Sequence, residues 1–303
     1  MARSVDKKEN LSHHGVLDAD KIVNYPNDTI RLLHERSSCR SFENKKIPRR
    51  VEKLILEAGD HAPTGGNLQP YSIIKITRED SRSKLAGFCG QKFMAEAPMH
   101  LLFCIDWRRL QRWSKLEHAP FAAEKSFLHF WISFQDVIAC AQNICTAADS
   151  MGLGSVYIGT VIDFIDETKK MFELPDLVFP VVLLCLGYPK ARIAPRRKLG
   201  IENIVHDEKY SDMEDDALLK AFAKKYEGQK IPVSDENFKI FKKVCEAVSG
   251  KKYAAACADD VRKKGYYNPV QRYFGLHYRA DEMSANNENY IKMSGKSGFR
   301  WFE

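Results

Sequence analysis

Ala62-Pro63-Thr64-Gly65-Gly66-Asn67-Leu68-Gln69-Pro70-Tyr71 is the stretch on which the reading of this chain turns. An amphipathic helical pattern beginning at Val51-Glu52-Lys53-Leu54-Ile55 precedes it, and an apolar strand-like run, Ser72-Ile73-Ile74-Lys75-Ile76, follows. Two glycines let the backbone come close to a ligand, because no Cβ stands in the way. Two prolines fix the path, while Thr64, Asn67 and Gln69 supply short donors and acceptors. The stretch therefore suits a loop that cradles a flat, heteroatom-rich molecule. A plain helix-to-strand turn draws on the same residue types, so the rest of the chain has to decide.

Upstream, Asp28 is a candidate helix cap for a short helix over Thr29–Arg36. It runs into Arg36-Ser37-Ser38-Cys39-Arg40-Ser41-Phe42. Guanidinium forks and hydroxyls are what a phosphate monoester needs, since it offers several charged acceptor oxygens. Arginines paired with surface carboxylates would show the same pattern. Downstream, an apolar strand is expected over Met99–Asp106, and the aromatic-rich stretch Trp107 to Phe121 reads as a lid or a subunit contact. Phe127–Met151 is the strongest helix, with a wide apolar face that includes Val137, Ala141, Ile144 and Ala148. Gly152 and Gly154 are suited to ending it.

The run Gly152-Leu153-Gly154-Ser155-Val156-Tyr157-Ile158-Gly159-Thr160 invites a dinucleotide-fold reading but fails it. The fingerprint needs glycine where Tyr157 stands, and the run follows a helix instead of a strand. A loop whose backbone faces a ligand at Gly159 remains. A helix over Asp166–Leu174 and a buried strand over Phe179–Pro189 lead to a second basic cluster, Arg196-Arg197-Lys198. Beyond Tyr210 the composition shifts toward Lys, Glu, Asp and Ala. Helical patterns at Glu214–Tyr226 and Asn237–Val248 suggest a peripheral extension, and the closing Gly298-Phe299-Arg300-Trp301-Phe302 reads as docked on the core or a partner.

The 303 residues, 44% hydrophobic and 29% charged, describe a globular protein with room for a sizeable core. The formal charge of +7 is spread in short basic pairs without interleaved aromatics, which argues against a nucleic-acid partner. No window is apolar enough to span a bilayer, so no membrane partner is expected. Met1–Asn10 is polar and lacks the apolar core of a signal peptide. A cytoplasmic protein is expected, with residues before about Asn24 loosely docked.

Eight cysteines form no Cys-x-x-Cys pair, so no zinc site is suggested, and most sit among apolar neighbours as reduced thiols. Nucleophile elbow, Walker loop and metalloprotease helix are all missing. His61 beside the opening loop is a candidate base, though a lone histidine at a helix end is more often a structural hydrogen-bonding residue. No catalytic side chain or metal set stands out, as expected where a bound cofactor carries the reaction.

Taken together, three separated motifs resemble the FMN-dependent nitroreductase family, the NAD(P)H:acceptor flavin oxidoreductases. Arg36 through Phe42 is similar to that family's Arg-Arg-Ser-x-Arg-x-Phe entry motif. Ala62 through Tyr71 resembles its Pro-Ser/Thr-x-x-Asn-x-Gln-Pro-Trp loop. The third motif combines Gly154–Thr160 with Gly187-Tyr188-Pro189 and Arg196-x-Lys198-Leu199. The resemblance covers roughly Asn27 to His206.

It implies an α+β fold with a mixed, mainly antiparallel sheet flanked by helices, in an intertwined homodimer with FMN at the subunit interface. Residues 1–26 would be a lead-in, 27–210 the FMN-binding domain, and 211–303 a helical C-terminal extension packing on the core or partner. Arg36, Ser38, Arg40, Arg196 and Lys198 would bind the FMN phosphate and ribityl region, with Ser37 also among the cofactor-binding residues. Pro63, Thr64, Gly65, Asn67 and Gln69 would contact the isoalloxazine, some of them from the partner chain. Tyr157, Ile158, Gly159 and Thr160 would line its other side. Ser37 stands where many members carry a second arginine, and Arg197 is the candidate replacement for that charge.

The implied reaction is ping-pong, with hydride passing from NADH or NADPH to flavin N5 and on to a small-molecule acceptor. Nitroaromatics, quinones and flavins are the acceptors the family suggests. Alternatives on the same fold are dehalogenation, flavin fragmentation or substrate dehydrogenation, and a flavin-binding sensor without turnover is a further one.

Overall fold

The computed structural model describes residues 25–301; the expectation for the chain before Asn24 lies outside them, as does Phe302. The described residues fall into two compact units, one formed by 25–195 with 291–301, the other by Arg196–Tyr290. The first opens with α1 (Asp28–Glu35), α2 (Arg49–Asp60), β1 (Tyr71–Ile76), α3 (Glu79–Phe88) and α4 (Phe93–Glu96). It continues through β2 (Met99–Asp106), α5 (Trp107–Leu116), α6 (Phe127–Ser150), β3 (Gly154–Ile158), α7 (Ile165–Met171) and β4 (Val178–Gly187). The strands lie in the order β1-β2-β4-β3, and every ladder is antiparallel. Parallel pairing is confined, among the described residues, to an isolated bridge between Ser38 and Ser155.

The central strands β2 and β4 are buried along their whole length, which is why both read in the sequence as nearly unbroken apolar runs. Successive side chains alternate faces. Leu102 and Cys104 join Leu183, Cys185, Val156 and Ile158 in a core closed by Leu85 of α3 and Met94 of α4. Helix α6 covers the opposite face, with α2 packed along it. That second contact is very close: a Cβ on Gly59 would stand 2.6 Å from Ile144 Cγ1. Two other glycines let the segment Arg36–Phe42 lie across the sheet end. A Cβ on Gly154 would stand 2.6 Å from the Cys39 Cβ, and one on Gly187 would stand 2.5 Å from Pro98 Cδ and 2.8 Å from Phe42 Cδ1.

Several local expectations shift. Asn27, not Asp28, caps α1, its side chain accepting from the Ile30 N–H at 3.0 Å. The stretch after Trp107 is a helix, α5, capped by Asp106. Met151 ends α6, and Gly154 opens β3 instead of closing the helix. The closing aromatics dock within the first unit, where Phe299 is buried against Phe130 and Phe179 and Trp301 lies 4.4 Å from the Phe130 ring centre.

The second unit contains α8 (Asp215–Lys225), β5 (Ile231–Pro232), α9 (Asp235–Lys264), β6 (Tyr266–Tyr267) and α10 (Pro269–Arg272). Its core gathers Phe241, Val261 and Tyr267. The helix expected to end at Val248 resumes after a break at Gly250 (φ 80°, ψ 172°) and runs on to Lys264. That conformation is open essentially to glycine alone. A last helix, α11 (Asn287–Lys296), leads back into the first unit.

Candidate functional site

The motif Arg36–Phe42 lies along β3 and β4. The Cys39 N–H donates to the Ser155 carbonyl at 2.9 Å, and Phe42 bridges to Pro189. Arg36 turns toward the last turn of α6, where its Nε donates to Asp149 Oδ2 at 3.1 Å and its Nη2 to Ser155 Oγ at 3.3 Å. The Asp149 side chain is only 2% exposed, so its carboxylate depends on cationic partners. A second guanidinium, that of Arg192, reaches the same carboxylate at 3.5 Å and donates to the Leu153 carbonyl at 3.0 Å. Two guanidinia on one carboxylate leave one surplus positive charge, and Arg40 lies exposed two residues beyond the Ser38 bridge. Ser37 Oγ donates to the Ile193 carbonyl at 2.6 Å.

The loop between α2 and β1 is fixed at several points. The Gly65 N–H donates to Asp136 Oδ1 of α6 at 3.0 Å. Burial pushes the Asp136 carboxyl above its ordinary value, partly offset by that bond, and its second oxygen is buried without a protein partner. Thr64 Oγ1 accepts from the Gln69 N–H at 3.2 Å, and Gln69 Nε2 donates to Asp60 Oδ1 at 2.9 Å. Arg109 of α5 clamps the exit, its Nη2 donating to the carbonyls of Gln69 and Tyr71 at 2.5 and 2.8 Å.

Gly66, Asn67 and Gln69 all have left-handed backbone, at φ 60°, 54° and 47°. Glycine and asparagine adopt it readily, whereas glutamine does so under strain that its neighbours must hold in place. His61 caps α2, exposed, with its Nδ1 at 2.8 Å from the Glu57 carbonyl.

At the end of β3 the Tyr157 side chain faces α6, its hydroxyl 3.5 Å from Gln142 Oε1. Burial, followed by the neighbouring Cys145, pushes that phenol's pKa up, so it stays protonated. Ile158 is buried in the core. What this segment offers outward is backbone, with Gly159, where a Cβ would meet nothing within 4 Å, and Thr160, whose Oγ1 accepts from Gln91 Nε2 at 3.1 Å.

One chain therefore brings Arg36 and Ser38 alongside Tyr157–Thr160, because both groups attach to β3. It does not bring Pro63, Thr64, Gly65, Asn67 and Gln69 to them. That loop is anchored at Asp136, and the arginines at Asp149, thirteen residues or roughly 20 Å further along α6. Arg196 and Lys198 are exposed in the second unit. Arg197 is engaged there with Glu227 at 2.7 Å and the Lys224 carbonyl at 2.9 Å. Asp149, Arg192, Asp136, Arg109 and Gln91 were not found from the sequence, where none of them lies inside a recognisable motif. Among the described residues no helix is long and apolar enough to cross a membrane.

Comparison with known proteins places this arrangement. The model of the nitroreductase family matches residues 33–188, about half of the chain. The chain belongs to the nitroreductase family of FMN-dependent oxidoreductases. It is 32% identical over 192 residues to a Cr(VI) reductase of Pseudomonas sp. (strain G-1), covering 63% of this chain and 79% of that one. It is 31% identical over 193 residues to an oxygen-insensitive NADPH nitroreductase of Salmonella typhimurium, covering 63% and 78%. A Bacteroides fragilis structure described as an oxidoreductase superposes with a TM-score of 0.73 at 25% identity, over 90% of this chain and 99% of that one.

Proposed function

We propose that this protein is an FMN-dependent oxidoreductase that uses NADH or NADPH to reduce nitroaromatic, quinone or flavin-like acceptors. The observation that carries the reading is the pair of guanidinia on Asp149, close to the Ser38 bridge to β3, the strand that leads to the open Gly159. A dianionic phosphate needs surplus positive charge and several donors, and that is the chemistry this cluster offers. The residues present fit FMN. Arg36, Ser38 and Arg40 would hold its phosphate and ribityl chain, with Arg196 and Lys198 as further phosphate ligands. Ser37, in the same motif, would take part in that site. Tyr157, Ile158, Gly159 and Thr160 would present their backbone to the ring, and Pro63, Thr64, Gly65, Asn67 and Gln69 would cover it.

FMN held by these residues would supply the redox chemistry of a ping-pong cycle between the nicotinamide donor and the acceptor. The chain's own part is to bind and orient. Asp136 and Arg109 hold the ring loop in its strained conformation, and Gln91 holds Thr160. The distance between the two halves along α6 supports a homodimer in which each site takes its ring loop from the partner. Exposed apolar side chains at that end of the molecule, Leu128 at 65% and Trp131 at 50%, support the same arrangement. Residues 27–210 as the FMN-binding part, with 211–303 as an extension, belong to this proposal. The NADPH nitroreductase among the relatives favours NADPH as the donor.

The test is anaerobic titration of the purified protein with NADH and NADPH, followed by a panel of acceptors. A yellow protein that bleaches with the donor and regains colour with a nitroaromatic or quinone is expected. A colourless protein that takes up no added FMN overturns the reading.

A further inference from the structure

Ser37 is an uncharged residue beside Arg36 in the entry segment, yet its side chain is engaged. The hydroxyl of Ser37 donates to the carbonyl of Ile193 at 2.6 Å and so fastens the segment that follows β4. The residue just before that carbonyl is Arg192. Its guanidinium is steered by the Leu153 carbonyl at 3.0 Å and by Asp149 at 3.5 Å.

Charge neutrality of Asp149 does not require it, since Arg36 stands closer, at 3.1 Å. A guanidinium has five N–H donors and Arg192 uses two of them here, with 51% of its side chain exposed. Arg192 and Arg40 both act electrostatically on the Cys39 thiol, a smaller effect than its burial.

We propose that Arg192, held in place by the Ser37 hydroxyl, is a further phosphate-binding residue that adds a guanidinium to those of the entry segment. The proposal rests on the FMN reading above. The serine contributes a tether and Arg192 contributes the fork. Arg197, four residues from the tethered carbonyl, is the obvious competitor in sequence but is held by Glu227.

The experiment compares FMN with riboflavin, which lacks the phosphate, in binding to flavin-stripped full-length protein followed by fluorescence quenching. Arg192→Gln is expected to weaken FMN by about tenfold or more and riboflavin by less than about threefold, as loss of a charge-assisted bond to phosphate requires. Arg192→Lys should recover part of the loss, because an ammonium keeps the charge without the fork. Ser37→Ala removes only a hydroxyl and should weaken FMN in the same selective way by a smaller factor. This second variant carries the test if Arg192→Gln fails to fold. Arg78→Gln, at an exposed arginine paired with Asp80, serves as the control.

Equal losses for FMN and riboflavin would mean that Arg192 only steadies Asp149, and would overturn the assignment. So would a changed preference between NADPH and NADH with FMN affinity unmoved, which would make Arg192 a reader of the nicotinamide cofactor's extra phosphate. Wild-type protein that binds neither flavin overturns the FMN reading and this assignment with it. Wild-type protein that binds FMN, with both variants unaffected, overturns this assignment alone.

Discussion

Arg40 follows the Ser38 bridge by two residues and lies exposed at the sheet end, so its removal opens no cavity in the core. We expect Arg40→Ala to lower FMN occupancy several-fold while the melting temperature moves by no more than about 2 °C, as for a surface substitution. Flavin absorbance after desalting, set beside a thermal melt, checks both halves of that statement. Full flavin content in the variant would remove Arg40 from the phosphate site. Arg36 is a different case in spite of sharing the motif. It neutralises a carboxylate that is 2% exposed, and removing it would weaken the fold together with any ligand binding.

His100 brings the same kind of question to an element. It lies wholly buried on β2, its Nε2–H donating to the Met94 carbonyl at 2.8 Å, and its Nδ1 has no partner. Burial opposes the imidazolium most strongly and the Arg82 charge adds to it, against a smaller opposing effect of the Met94 bond, so the pKa falls to about 4.

The unfolded chain therefore takes up a proton near pH 6.5 that the folded chain refuses. Stability from this group is fully present above pH 6.5, is lost as pH falls toward 4, and loses nothing more below that. The loss is about 3 kcal/mol, from a pKa displaced by about 2.5. His100→Gln keeps a donor for Met94 without the titration. Denaturant melts at pH 7 and pH 4.5 should show a smaller acid loss in the variant; equal losses would move the acid sensitivity to other groups.

The elements that were legible share a physical cause. Strands β2 and β4 are buried on both faces, and α6 packs on several sides, so their composition is uniform and survives in the bare sequence. Helix α5 was not legible because only Trp107 and Leu110 are buried among its arginines, which leaves no long apolar face to read. The same division runs through the site. Arg36, Ser38 and Gly159 lie in local motifs, whereas Asp149 and Arg192 meet only because β3 and the segment after β4 are drawn together by the sheet. No spacing along the chain encodes that meeting.

At the scale of the whole molecule, the N-terminal half of α6 exposes Leu128 and Trp131 near the ring loop. An apolar face of that kind on a helix otherwise committed to the core suits burial against a second copy. Trp131→Glu places a charge there and is expected to give a monomer that also loses most of its FMN. Light scattering coupled to size exclusion, with flavin content measured on the same fractions, tests this. A dimeric variant with full flavin would move the interface elsewhere.

The length of α6 between Asp136 and Asp149 has a genetic consequence. In the proposed homodimer each copy would give its loop to one site and its arginines to the other, so a lesion at one end of the helix would not fall on the same site as a lesion at the other end. Two inactive chains, one altered in Thr64–Gln69 and one in Arg36–Arg40, would rebuild one sound site in every mixed dimer and concentrate both faults in the second. Random reassortment of the two would restore about a quarter of wild-type activity. Two dead alleles would thus complement one another.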